Sequence, residues 1–405
     1  MPMPLQGVRI IDLTSVLMGP YATQILGDMG ADIIKVESPS GDTTRLIGPM
    51  RNPGMGPTFL NANRSKRSIM LDLKKPEGRA ALMRLVESAD VLICNVRPKA
   101  MARLGLSYEE VNAINAKIIY VGLVGFGQSG PYADKPAYDD LIQGAVALPT
   151  LSTMAGSDVP RYVPTTIADR TVGLHGAIAT VAALLHRANT GRGQQIEIPM
   201  FETMAGYVLA DHMGGRSFEP SIGAPGYQRL LAPDRRPFRT SDGYICVVIY
   251  TDGHWRNFFK SIGQSETFEK DERFANLSSR SANIGSLYKV VADILLTRTS
   301  AEWLALLESA DIPVMPLHTL ESLMEDPHLR AVAFFKNNEH PSEGSIHSIS
   351  TPWRWSDSQP GETRPAPRIG QHSVEILRNI GYDEEQIRVL IENRITQDDC
   401  AAQPG

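Results

Sequence analysis

The sequence predicts an α/β fold built around a parallel sheet, with a second, smaller compact segment. Three observations lead there. Across the first half of the chain, short apolar runs suited to buried strands alternate with helical patterns, as in βαβ units. The chain has 405 residues, 42% of them hydrophobic and 21% charged, so it can bury a large core without disulfide or metal staples. A Gly- and Pro-rich stretch, "GGRSFEPSIGAPGYQRLLAPDRRP" from 214, then breaks the pattern before a new set of strand and helix signals.

Taken in order, "VRIIDLT" (8 to 14) reads as a buried strand, "GPYATQILGDMGA" (19 to 31) as a helix and "DIIKVE" (32 to 37) as the next strand. "RSIMLDL", the helix "KPEGRAALMRLVESA", "DVLICNV" and "KIIYVGLV" continue the alternation, and "TGRGQQIEIPM" (190 to 200) is a turn feeding a further strand. Beyond the break come the strand "GYICVVIY" (243 to 250) and helices near 254 to 262, 286 to 296 and 300 to 310. A second irregular stretch (340 to 372) precedes two short helical patterns. The expected organisation is a first part of the large domain (1 to 213), a linker and small domain (214 to 330), and a linker with a return to the large domain (331 to 405).

Composition narrows the function. With 40 basic and 45 acidic residues the formal charge is -5, which gives no support to nucleic-acid or membrane binding. Cys94, Cys246 and Cys400 are far apart and odd in number, so no disulfide framework or zinc site is expected. The N-terminus shows no signal peptide, and no run of about 18 apolar residues suggests a membrane span. A reducing compartment, the cytoplasm, is expected. No metal site is expected, because the histidines never fall at ligand spacing.

"GFGQSG" (Gly125 to Gly130) matches the dinucleotide pattern GxGxxG, yet Pro131 and Tyr132 follow where a helix should open. It reads better as a tight glycine turn at a strand's carboxyl end. In "TTIADRTVGLHGAIATVAALLHRAN" (165 to 189), Leu174, Ile178, Val181 and Leu185 recur at helical spacing and predict one buried face. His175 is expected to be a packed helix residue. Asp169 stands near the first turn. It suits an N-cap, and the positive helix end favours an ionised carboxylate that can also act as a nucleophile. Spacing alone leaves both open.

Several segments in order carry a resemblance: "GVRIIDLTSVLMGPYATQILGDMGADIIKVE", "GDTTR" (41 to 45), "NRSKRSIMLDLKKPEG", "DVLICNVRPKAMARLGL", "AYDDLIQG", the Asp169 helix, "TGRGQQIEIPMFE" and "RPAPRIGQHS". On these the chain resembles the class III coenzyme A-transferases, the CaiB/BaiF or formyl-CoA-transferase-like family. The resemblance implies a Rossmann-like large domain, a smaller α/β domain and an interlocked homodimer. It implies that coenzyme A enters as a substrate, with no permanently bound cofactor. The partners would be an acyl-CoA, plausibly succinyl-CoA, and a carboxylic acid.

By the same resemblance Asp169 is the nucleophile, passing through a mixed anhydride and an aspartyl-CoA thioester. Ser15, Val16, Leu17 and Met18 match the loop that contacts CoA after the first strand. Leu71, Lys74, Asn95, Val96 and Arg103 match adenine and phosphate contacts, and Met200 matches a position lining the CoA channel. Tyr138 and Asp139 match an active-site tyrosine and acid, and Gly253 is the one glycine where many members carry a glycine-rich loop. The oxalate-using branch has Gln and an aromatic or His where this chain has Leu17 and Ser15, so oxalate is not implied. Arg170, beside the nucleophile, is expected to be a solvated charge. The alternatives are an α-methylacyl-CoA racemase, a nicotinamide-dependent oxidoreductase and a non-catalytic acyl-CoA-binding protein. Racemisation needs two acid/base groups, and Tyr138 stands where racemase-like relatives carry His.

Overall fold

A computed structural model describes residues 2–398. Cys400 and the end of the third predicted segment lie outside the described residues. The chain divides into two compact units. One takes the chain up to Val146, Pro164–Ala205 and the segment from His328 on; the other takes Ala147–Val163 and Gly206–Pro327.

The first unit opens β1 (Arg9–Leu13), α1 (Met18–Asp28), β2 (Asp32–Glu37), α2 (Pro57–Asn63), β3 (Lys66–Met70), α3 (Pro76–Glu87) and β4 (Val91–Cys94). It continues with α4 (Pro98–Arg103), α5 (Tyr108–Ile114), β5 (Ile119–Val124) and α6 (Asp139–Ala145). Proline occupies the first turn of α2, α3 and α4, where its missing N–H costs nothing. A Ser107/Glu110 capping box starts α5. After α7 (Leu148–Met154), which belongs to the second unit, come α8 (Ile167–Thr190), β6 (Gln194–Pro199) and α9 (Met200–His212).

The sheet has six parallel strands in the order β3-β2-β1-β4-β5-β6. Ile11 pairs with Ile34 on one side and Leu92 on the other, and all three are buried. Burial on both faces explains why these strands read as apolar runs rather than alternating ones. Strand order reverses between β1 and β4, which opens a crevice at their carboxyl ends, where such sheets hold ligands.

Helix α8 corrects the predicted buried face. Its inner side is made of small residues: Gly173, Gly176, Ala177 and Thr180 are buried against α1 and the sheet. A Cβ at Gly173 would lie 2.7 Å from the Met18 carbonyl oxygen, so only glycine allows this approach. Leu174, Ile178, Val181 and Leu185 instead point away from the chain's own core, with exposures of 40%, 66%, 37% and 63%. His175 is exposed too, not packed. Periodicity found a face, but the large side chains do not fit where α1 comes close.

The second unit contains β7 (Phe238–Arg239), β8 (Tyr244–Val247), α10 (Asp252–Ser261), α11 (Ser265–Lys270), α12 (Leu277–Ala282), α13 (Ile284–Leu295), α14 (Ser300–Ser309), β9 (Val314–Pro316) and α15 (Leu320–Met324). Its three strands form an antiparallel sheet in the order β7-β8-β9. Trp255, Phe258, Phe259, Phe274 and Trp303 fill its core, and the Trp303 indole N–H donates to the Leu295 carbonyl at 2.7 Å. The predicted strand 243 to 250 ends at Val247. Residues 147–163, which the sequence reading kept with the first segment, go with this unit: a Cβ at Gly156 would sit 3.0 Å from that of Pro233.

Helix α16 (Pro327–Ala331) leads back, followed by β10 (Phe335–His340), β11 (Gly344–Ile349), α17 (Ser373–Asn379) and α18 (Glu384–Glu392). The stretch expected to be irregular from 340 thus contains half of an antiparallel hairpin, β10–β11. The returning segment closes the edge of the parallel sheet. Met70 N–H donates to Ser373 Oγ at 3.1 Å, and Ile376, Leu377, Ile387 and Leu390 join the core that contains Ile11 and Leu92.

Candidate active site

The crevice begins with the loop after β1. Beneath it lies a layer of buried charge. Lys66 is wholly buried and donates to Asp12 Oδ2 at 3.1 Å, to Asn63 Oδ1 and to the Pro20 carbonyl. Asp12 also accepts from the Thr14 backbone and from Thr23. Burial works to raise the Asp12 carboxyl, but Lys66 and Lys35 outweigh it and hold it at about 2. Lys35, equally buried, donates to the Thr14 carbonyl at 2.9 Å and to Asp42 Oδ2 at 3.0 Å. Asp42 accepts in turn from the Val16 N–H at 3.2 Å. Val16 has φ 69°, a conformation that a β-branched residue rarely adopts. Ser15 N–H donates to Asn95 Oδ1 at 3.0 Å, and Asn95 Nδ2 returns a bond to the Ser15 carbonyl at 2.8 Å. The loop after β1 and the loop after β4 are therefore clasped across the point where strand order reverses.

Nine of the residues singled out from the sequence line one crevice of about 310 Å³. Ser15, Val16 and Met18 come from the first loop, Asn95 and Val96 from the end of β4. Tyr138, Asp139, Asp169 and Met200 complete the set from α6, α8 and α9. A neighbouring cavity of about 550 Å³ holds Arg103 with Arg97 and Lys99, and the two share Arg97, Pro98, Gln128 and Ala133. Leu17 is buried and lies outside the lining. Leu71 is closed off in the core of the sheet, and Lys74 is exposed outside the crevice. Gly253 falls in the second unit, in the first turn of α10 behind the Thr251 cap, so its segment is helical rather than a glycine-rich loop. Sequence reasoning missed Arg97, Gln128 and Lys135 as lining residues; the signal available was their place just after β4 and β5.

Asp169 is the third residue of α8, not its N-cap, which is Thr166. The capping acceptor comes from another helix: Asp139 Oδ2 accepts the Asp169 backbone N–H at 2.9 Å, while Gln143 Nε2 donates to Asp139 Oδ1 at 2.6 Å. Burial pushes the Asp169 carboxyl up, the Asp139 carboxylate adds to the push and Arg170 opposes it, leaving it at about 6 against an ordinary 3.8. This corrects the expectation that the helix N-terminus governs its ionisation. The helix end does favour the anion, but partial burial beside a second carboxylate outweighs it. Arg170 is not simply solvated: its guanidinium lies 4.5 Å from the Tyr21 ring centroid.

"GFGQSG" follows β5 as turns, and no helix opens at its last glycine. Its amides are already occupied. Gly127 N–H donates to Glu202 Oε1 at 2.9 Å and Gln128 N–H to Glu197 Oε1 at 3.0 Å. A loop whose amides face carboxylates repels a pyrophosphate rather than cradling it. Among the described residues no group of His, Cys, Asp and Glu is placed to hold a metal, and no helix is long and apolar enough to cross a membrane.

Comparison with known proteins places the chain in a family. The model of CoA-transferase family III matches residues 5–373, and the chain belongs to that family. It is accordingly a transferase of the EC 2.8.3 type, in a family whose members use CoA thioesters as substrates. It is 32% identical to a succinate–glutarate CoA-transferase of Agrobacterium fabrum, over 93% of this chain and 96% of that one. It is 29% identical to an (R)-2-hydroxy-4-methylpentanoate CoA-transferase of Clostridioides difficile, over 98% and 100%. Among solved structures, a CaiB/BaiF family protein from Brucella suis superposes with a TM-score of 0.80 at 32% identity, covering 94% of this chain and 100% of that one.

An ionised Asp169 costs stability in this position. Its folded value of about 6 lies above the unfolded 3.8, so the folded state holds the proton more tightly. The cost is absent below pH 3.8 and complete above about pH 6. Asp169→Asn is therefore expected to raise folding stability by about 1–2 kcal/mol at neutral pH, after discounting for solvent screening. Denaturant titrations at pH 7.5 and near pH 4 measure this, and an equal effect at both values would count against it.

Proposed function

We propose that this protein transfers CoA from an acyl-CoA donor such as succinyl-CoA to a carboxylic acid through covalent intermediates on Asp169. The observation that carries the reading is Asp169 itself: half-buried, lining the crevice, and held at about 6, where it is mostly ionised at neutral pH yet more nucleophilic than an ordinary carboxylate. An Asp169 oxygen attacks the thioester carbonyl, the C–S bond breaks and CoA thiolate leaves a mixed anhydride. The thiolate then attacks the Asp169 carbonyl carbon, the donor acid departs and an aspartyl-CoA thioester remains. The acceptor carboxylate attacks that carbon and expels thiolate, which finally attacks the acceptor's carbonyl and releases Asp169. One thioester is exchanged for another, so the sequence balances without an external energy source.

The rest of the crevice supports the same reading. Arg97 and Arg103 bring cations to the neighbouring cavity, suited to the CoA phosphates, and Lys99 there is paired with Asp134. Ser15, Val16, Met18, Asn95, Val96 and Met200 line the way to Asp169 and would flank the pantetheine arm. Leu71, Lys74, Leu17 and Gly253 have no such support from their positions. The homodimer is proposed on the exposed apolar stripe of α8, Leu174, Ile178, Val181 and Leu185, which a second copy of the chain would cover.

Asp169→Ala is expected to lose transfer by at least about 10³-fold while folding and binding CoA. Turnover of succinyl-CoA with a panel of acids, read by mass spectrometry, checks this, and near-native turnover would falsify the covalent route. The acid limb of kcat/KM is expected near pH 6. Because Asp139 contributes to raising Asp169, Asp139→Asn should move that limb to lower pH; an unmoved limb would separate the two carboxylates. Ile178→Asp combined with Leu185→Asp should weaken self-association, and a sedimentation profile unchanged by the pair would argue against the α8 interface.

A further inference from the structure

We infer that the buried Lys35–Asp42 pair is the positioning unit of the crevice's first loop, holding Val16 in its left-handed conformation so that the loop is shaped for acyl-CoA before the ligand arrives. The inference rests on the proposed function, in which this loop receives CoA.

The loop has three anchors, and two of them converge on this pair. Lys35 Nζ is wholly buried on β2 and donates to the Thr14 carbonyl at 2.9 Å, fixing the loop where it leaves β1. Asp42 accepts the Val16 N–H at 3.2 Å, fixing it two residues later. Asp42 is itself immobilised: it caps the turn Thr43–Leu46 by accepting from Thr44 N–H at 3.0 Å and Thr44 Oγ1 at 2.8 Å, and its own N–H donates to Glu37 Oε2 at 3.1 Å. Glu37 is gripped by Arg45 Nε at 2.8 Å and Nη2 at 2.7 Å. The third anchor, Asn95, holds Ser15 from β4. Between these points Val16 takes φ 69° and remains exposed at the crevice wall.

A β-branched residue does not rest there by preference; the neighbouring contacts must impose it. Neither Lys35 nor Asp42 lines the crevice that holds Asp169; both line a separate cavity of about 250 Å³ that shares Ser15 and Val96 with it. The pair's effect is therefore on the shape of the loop and on the entropy lost when ligand binds, not on the reacting atoms. This also gives "GDTTR" a physical meaning: Gly41 turns at φ 70°, Asp42 grips the loop, Thr44 orients Asp42, and Arg45 locks Glu37 beneath it.

The test measures CoA affinity by calorimetry in an Asp169→Ala background, where no acyl transfer can occur, so its outcome is independent of whether Asp169 is the nucleophile. Asp42→Ala is expected to weaken CoA binding by at least tenfold. In the enzyme with Asp169 intact, the same substitution should raise KM for acyl-CoA while kcat at saturation stays within about threefold. Adding Val16→Gly, which accepts a positive φ without strain, should recover part of the lost affinity. A purely structural role predicts lower melting temperature and lower kcat with unchanged KM, and no recovery from glycine. Should Asp42→Ala leave Lys35 unpaired and fail to fold, Lys35→Met with Asp42→Asn removes both charges together and is expected to weaken binding several-fold. CoA affinity within twofold of the parent in a folded variant, or no recovery with Val16→Gly, overturns the inference.

Discussion

Lys66 and Lys35 stand on neighbouring strands of the parallel sheet with no solvent exposure, and each meets a carboxylate, Asp12 and Asp42. Burying two lysines and an aspartate inside a sheet, with Asp42 just beyond its edge, is expensive, and an apolar layer of equal volume would often be as stable. The arrangement makes sense by what it holds. Asp12 binds the Thr14 backbone, Lys35 the Thr14 carbonyl and Asp42 the Val16 N–H. The chain leaving β1 is thus held by charged partners with definite directions. Apolar packing would give the sheet the same cohesion but leave that segment free to choose among conformations, and Val16 would not choose φ 69°.

The crevice carboxylate is governed by the opposite balance. Asp12 is buried among lysines and held at about 2; Asp169 is partly buried beside Asp139 and raised to about 6. The same desolvation acts on both, and neighbouring charge decides the sign. Asp139 has two effects at once. It accepts the Asp169 N–H, which fixes the first turn of α8, and its charge makes the Asp169 side chain more basic. Gln143, one turn further along α6, keeps Asp139 in place. A contact that fixes the helix start therefore also makes the carboxylate there more basic.

Much of the fold was legible because a sheet buried on both faces leaves long apolar runs, and β1, β2, β4 and β5 show them. What failed were patterns with two solutions. Helix α8 has a small-residue face and a large-residue face, both apolar, and periodicity cannot say which one turns inward. Hairpin β10–β11 is mostly polar, with Asn337, Asn338 and His347 between only Phe335, Ile346 and Ile349, so its apolar signal was weak. Asp169 was ambiguous by spacing, and only the ordered family resemblance separated nucleophile from cap. The buried layer left a faint mark: a lysine inside "DIIKVE", where no solvent-facing position exists in a central strand.

The chemical character of the adjoining cavities constrains how a substrate can lie in the proposed reaction. Arg97, Lys99 and Arg103 line one cavity, and Val96, Leu123 and Met200 line the adjoining crevice together with Asp139 and Asp169. A CoA thioester has its phosphates towards one end and its less polar arm and reactive carbonyl towards the other. Reversed, its phosphates would face two carboxylates in a partly dry crevice, and that repulsion would be little screened. In that reaction the pair Asp139–Asp169 would select orientation by repulsion, as the basic residues would by attraction. The same repulsion bears on the acceptor, whose carboxylate must approach Asp169. It is lifted once Asp169 is acylated and its charge is gone. In the proposed reaction a free acid would accordingly be disfavoured at the resting carboxylate and admitted at the thioester, which would place donor before acceptor.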